Sequence, residues 1–140
     1  MIKSNVMLCA DNVIRDAETD LISIVGIAED IIPEGLPLFI PRFMILIFLQ
    51  RDDSDPSDIK CTLRITLNGD QLLEKTLTIG FKGKKRNRTI INIGGLPIAK
   101  QGILETSLWL DDKMLNQYKM VVKEPRKLKV EIQQEPAKKK

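Results

Sequence analysis

The feature that most constrains this chain is an unbroken apolar run, Phe43, Met44, Ile45, Leu46, Ile47, Phe48 and Leu49, set between Pro41 and an acidic turn at residues 52–58. Seven residues are too few for a packed helix, and a strand with one wet face would alternate. The run therefore reads as a short strand buried on both faces. Phe43, Ile45, Ile47 and Leu49 point one way, toward a core. Met44, Leu46 and Phe48 point the other way and also need cover, because an exposed apolar row of that length is a pairing or binding surface. The cover expected is a segment of the same chain (the N-terminal strand, residues 33–40 or the C-terminal segment) or a second copy in a homodimer. Met44, Leu46 and Phe48 are accordingly the expected interface residues.

Around this run the pattern is one of short strands. Residues 4–15 make the first, with Asp11-Asn12 breaking its alternation as a bulge would. Residues 21–32 make the second, with Gly26 as a bend or close-approach site. Pro33, Glu34, Gly35 and Pro37 stiffen the link to the central strand, which Pro41 is expected to begin, having no amide hydrogen to donate. Ile59, Cys61, Leu63, Ile65 and Leu67 then alternate with Lys60, Thr62, Arg64 and Thr66, a half-buried strand. Asn68-Gly69 is a hairpin turn, since both residues tolerate positive φ, and residues 71–79 return antiparallel. A basic loop at residues 80–88 leads to a strand at residues 89–93, which Gly94-Gly95 and Pro97 are expected to end. A last hairpin runs from residue 104 through Asp111-Asp112 to residue 122. About eight strands and no convincing helix predict an all-β fold, an antiparallel β-sandwich of Ig-like or C2-like type.

Length allows one domain with a real core, assigned to residues 1–122 and followed by a tail at residues 123–140. The tail holds seven Lys/Arg against three Glu, while the body holds fifteen Lys/Arg against sixteen Asp/Glu, a net of −1. The body thus lacks the footprint of a nucleic-acid binder, and the tail is a basic and flexible appendage with a strand-like pattern at residues 128–132. No apolar run approaches the roughly 20 residues that span a bilayer, and no secretory leader is readable. A cytoplasmic protein is expected, with Cys9 and Cys61 as buried free thiols.

Cys9, Asp11, Asp16, Thr19, Leu21, Ser23, Gly26, Pro37, Pro41 and the apolar strand together resemble a family of small uncharacterised bacterial domains of unknown function. Those domains open with Cys-Asp, turn through Asp-x-x-Thr-Gly-Lys, and continue in a Leu-Ser-Ile strand ending near Gly. They close with a Gly-led hairpin, like Gly102 to Val122 here. This chain departs from the pattern in having Cys9-Ala10-Asp11, and Thr19-Asp20-Leu21 without the Gly-Lys. The resemblance implies a β-sandwich and brings no activity.

Chemistry is narrowed by the absence of histidine. That removes Ser-His-Asp and Cys-His nucleophile activation and histidine-ligated zinc. No catalytic residue, cofactor or metal is assigned, and the expectation is a non-enzyme. If turns alternate between the two ends of the sandwich, those at residues 16–20, 51–58, 80–88 and 111–113 gather at one end. Asp52, Asp53, Asp55 and Asp58 are then a calcium candidate by analogy with the turn aspartates of C2-like sandwiches, set against a solvated polar turn. Lys82, Lys84, Lys85, Arg86 and Arg88 have an anion-binding reading, for nucleic acid, nucleotide or acidic lipid, set against a hairpin tip neutralised by the aspartates beside it. Trp109 either covers a neighbouring strand or anchors an interface. The leading expectation is a non-catalytic module that binds protein and self-associates; the alternative is an anion-binding module built on the basic loop.

Overall fold

The computed structural model describes residues 1–126. The expectations for residues 128–132 and the flexible end of the tail lie outside the described residues. Nine strands form among the described residues: β1 (Lys3–Arg15), β2 (Ile22–Ile27), β3 (Asp30–Ile31), β4 (Leu38–Gln50), β5 (Asp58–Leu67), β6 (Asp70–Gly80), β7 (Arg86–Ile98), β8 (Gly102–Leu110) and β9 (Lys113–Val122). They make a β-sandwich of two sheets, ordered β2-β1-β4-β7 and β3-β9-β8-β5-β6. The order β1-β4-β7 against β6-β5-β8-β9 follows the A-B-E and C′-C-F-G order of an immunoglobulin-type sandwich, with no counterpart of its D strand beside β7 among the described residues. β2 and β3 are additions to that frame.

The core is filled as the alternation of the strands demands. Ile45, Ile47 and Leu49 of β4 meet Ile59, Cys61, Leu63, Ile65 and Leu67 of β5 and Leu104 and Leu108 of β8, all buried in one cluster. Cys9 and Cys61 are both buried and unpaired. Asn68 and Gly69 take φ of 51° and 86°, the left-handed pair that a two-residue hairpin between β5 and β6 requires.

Three local expectations are corrected. β4 begins at Leu38 and runs through Pro41, whose missing donor is tolerated because the β4–β7 ladder skips it, passing from Ile40↔Leu96 to Arg42↔Gly94. Gly94-Gly95 and Pro97 also lie inside β7, with Gly95 at φ 78° opposite Pro41 and Pro97 paired with Phe39 on what is an edge strand. The segment read as one strand over residues 21–32 breaks after Ile27. β3 crosses to the other sheet and pairs parallel with β9, Asp30↔Val121 and Ile31↔Val122.

The outer face of β4 is covered by the chain itself. β1 pairs with β4 only as far as Ala10↔Met44; its remaining residues pair with β2. Val13 and Ile22 of this hairpin join Leu8, Met44, Phe48 and Ile90 in a second apolar cluster around Leu46, which is left 1% exposed. Gly26, at φ 68°, is needed here: a Cβ on it would stand 3.1 Å from Asp11 Cβ across the hairpin.

Candidate functional site

Four turns meet at one end of the sandwich, and a single buried guanidinium organises two of them. Arg51 leaves β4 and is nearly buried. Its Nε donates to the Lys84 carbonyl at 2.7 Å, and Nη1 donates to the Asp55 carbonyl at 3.2 Å. The guanidinium lies 5.7 Å from the centroid of the buried Phe81 ring. The Phe81 amide donates to the Ser57 carbonyl at 2.8 Å and the Gly83 amide to Ser57 Oγ at 3.3 Å. Backbone carbonyls and an aromatic anchor thus hold the basic loop between β6 and β7 from beneath.

The loop's cations divide into two groups. Lys85 turns to Asp53, 3.6 Å away, and Arg88 is ion-paired with Asp20 in the β1–β2 turn. Asp20 also accepts from Arg15 Nε at 2.6 Å. That bond, with the charges of Arg15 and Arg88, holds the Asp20 carboxyl below the usual carboxylate range. Lys82, Lys84 and Arg86 have no ion-pair partner among the described residues. They line a groove of about 830 Å³ with Arg15, Arg88, Asn5, Gln50, Asn87 and Phe48, and with Asp20 as its one carboxylate. Four of the five predicted anion-binding residues therefore share one concavity. Lys85 does not line it, and Arg15, distant in sequence, does.

The acidic turn is engaged differently. The Met1 ammonium meets Asp52 Oδ2 at 2.6 Å and Asp55 Oδ2 at 2.8 Å, and the Asp52 amide donates to Asp55 Oδ2 at 2.8 Å. Among the described residues no three carboxylates or thiols converge as metal ligands, Asp52, Asp53, Asp55 and Asp58 included.

The expected interface is redistributed. Leu46 is sealed beneath the β1–β2 hairpin, with Met44 and Phe48 half-buried beside it, which removes the need for a second copy there. Trp109 lies over β5, with Arg64 4.9 Å above its ring and its Nε1 donating to Ser107 Oγ at 2.8 Å. It covers the outer face of its own sheet.

What the hairpin covers on one side it exposes on the other. Among the described residues β2 is the end strand of its sheet, and β1 is its only neighbour. Val25 and Ile27 are 52% and 54% exposed, and Ile14, Leu21 and Ile24 are exposed nearby. The other long end strands carry the usual protection against stray pairing: Glu74 and Lys75 on β6, Arg86, Arg88 and Pro97 on β7. β2 reads Ile-Ser-Ile-Val-Gly-Ile, without a charge or a proline. The sequence marks it as a strand, and no local pattern marks it as an edge.

Both thiols are shut away from solvent. Burial pushes both Cys9 and Cys61 up to about 11, so each stays protonated at neutral pH. Among the described residues no helix is long and apolar enough to cross a membrane. No curated protein matches the chain. The model of the family of unknown function DUF6941 matches residues 5–123, from β1 to just past the end of β9. The chain belongs to that family.

Proposed function

We propose that this domain is a non-catalytic interaction module that binds a partner protein by strand addition to β2. The observation that carries the reading is the bare outer edge of β2, six uncharged residues among exposed apolar side chains, on a protein whose other long edges are guarded. Added main-chain hydrogen bonds supply affinity in such complexes, and alternate side chains supply selectivity. The absence of histidine and the protonated thiols support a role without catalysis. Two unpaired thiols also support a cytosolic setting.

Charge identifies the occupant. Glu18 stands at the turn end of β2, and Glu29 and Asp11 stand at the other end; all three are exposed and have no ion pair among the described residues. The segment that fits is extended, alternately apolar, and flanked by Lys or Arg. A second copy of β2, laid antiparallel with Ile22 opposite Ile27, would set Glu29 of one copy against Asp20 of the other, and like charges oppose that pairing. The test is the affinity of two synthetic peptides with the same Val/Thr core, one flanked by lysines and one by glutamates. The lysine-flanked peptide should bind, and the Glu18→Lys, Glu29→Lys double variant should transfer the preference to the other peptide. Equal binding of both, or binding unchanged by Val25→Lys, would refute the reading.

A further inference from the structure

The basic groove adjoins the turn end of β2 through Arg15 and Asp20 but rests on different observations. Its shape is fixed before any ligand arrives. Arg51 and Phe81 hold the backbone of the loop, and Asp20 ties Arg15 and Arg88 to the opposite wall. Lys82, Lys84 and Arg86 are then presented without a carboxylate partner among the described residues. Preorganised cations lose little freedom on binding, which is the condition for converting charge into affinity.

The ligand class follows from size and field. A volume of about 830 Å³ falls within the range of small-molecule sites. A nucleic-acid strand needs a basic track longer than one pocket, and here the body outside the groove is acidic: residues 1–122 carry a net of −1 even with the groove's cations included. Stacking platforms are also lacking, since Phe48 is the one exposed-side aromatic in the lining and is half-buried in the hairpin cluster. The amides of Asn5, Gln50 and Asn87 at the rim can donate to neutral or anionic oxygens.

We propose that the groove formed by Arg15, Lys82, Lys84, Arg86 and Arg88 binds a compact polyphosphate, an anion of several linked phosphates such as inorganic tripolyphosphate or the phosphate chain of a nucleoside triphosphate. Lys82, Lys84 and Arg86 supply the uncompensated charge, and Arg88 and Arg15 position the wall through Asp20.

The experiment is calorimetric titration of the full chain with inorganic tripolyphosphate and with ATP. The expected result is saturable binding of tripolyphosphate at one site, with ATP binding in competition with it. Lys82→Gln, Lys84→Gln, Arg86→Gln together should weaken binding at least about tenfold, since charge-assisted contacts are the strong ones. These side chains are exposed, so the variant should melt at the temperature of the parent. A variant of equal charge, Lys60→Gln, Lys75→Gln, Lys119→Gln, should bind as the parent does. Loss of binding in that control would show a net-charge effect and overturn the proposal. So would binding of a long RNA by a protein that ignores tripolyphosphate, because an extended polyanion would then be the ligand. Val25→Lys should leave tripolyphosphate binding intact, which separates this proposal from strand addition at β2.

Discussion

Replacing Arg51 by Ala should destabilise the protein by about 2–4 kcal/mol, although Arg51 belongs to a loop region and not to the apolar core. The bond from Nε to the Lys84 carbonyl is 2.7 Å long and charge-assisted, a class worth roughly 1.5–3 kcal/mol. The contact with the Asp55 carbonyl, at 3.2 Å, is longer and adds about 1 kcal/mol or less. The face of Phe81, at 5.7 Å, contributes roughly 0.5–1 kcal/mol. Water reaching the freed carbonyls in the variant offsets part of this sum, because both turns lie at the surface. Arg51→Lys should recover less than half of the loss, since one ammonium cannot span the carbonyls of two turns as the planar fork does. Urea denaturation, with the slope compared between variants, measures all three proteins. A loss below about 0.5 kcal/mol for Arg51→Ala, or full recovery by Lys, would show that Arg51 does not hold the two loops together.

Three further outcomes follow from the geometry. Leu46→Glu should unfold or severely destabilise the chain, and not merely change its association, because it places a carboxylate in the cluster under the β1–β2 hairpin; circular dichroism and light scattering read both at once. Gly102→Ala should cost more than Gly69→Ala: both glycines have positive φ, but only at Gly102 would the new Cβ fall 1.9 Å from Asn68 Oδ1, displacing the side chain that accepts from the Ile103 amide. Asp20 is depressed in the folded state, so its contribution is full above the ordinary carboxylate pKa of about 3.9 and is lost as pH falls through the lower folded value. Asp20→Asn should therefore melt below the parent at neutral pH, with the difference closing in acid.

Much of the frame was legible because it is written in local pattern. The two-sided run at residues 43–49 announced β4, strict alternation announced β5, and Asn68-Gly69 announced the turn that joins β5 to β6. The gathering of the acidic and basic turns followed from the way strands alternate, and the pairs Asp20–Arg88 and Asp53–Lys85 bear it out. What was not legible depends on pairing between distant segments. Pro41 reads as a strand start unless one knows that Gly95 faces it at an irregularity in the ladder. Ile22, Ser23, Ile24, Val25, Gly26 and Ile27 read as a strand but not as an edge, because β-branched residues fit a buried strand and an unguarded edge equally well. Whether Leu46 is covered by this chain or another depends on where β1 leaves β4, and nothing local to Leu46 records that. Arg15 joined the groove for the same reason: the hairpin carries it there.

The most direct test of the account is residue-resolved amide hydrogen exchange, comparing the free protein with the protein saturated by the lysine-flanked peptide. Strand addition predicts that amides of β2 facing away from β1 exchange fast in the free protein and become protected in the complex, at alternate positions between Ile22 and Ile27, while β6 and β7 are unchanged. Protection that appears on β6 or β7 instead, or a complex in which β2 amides exchange as before, would contradict it.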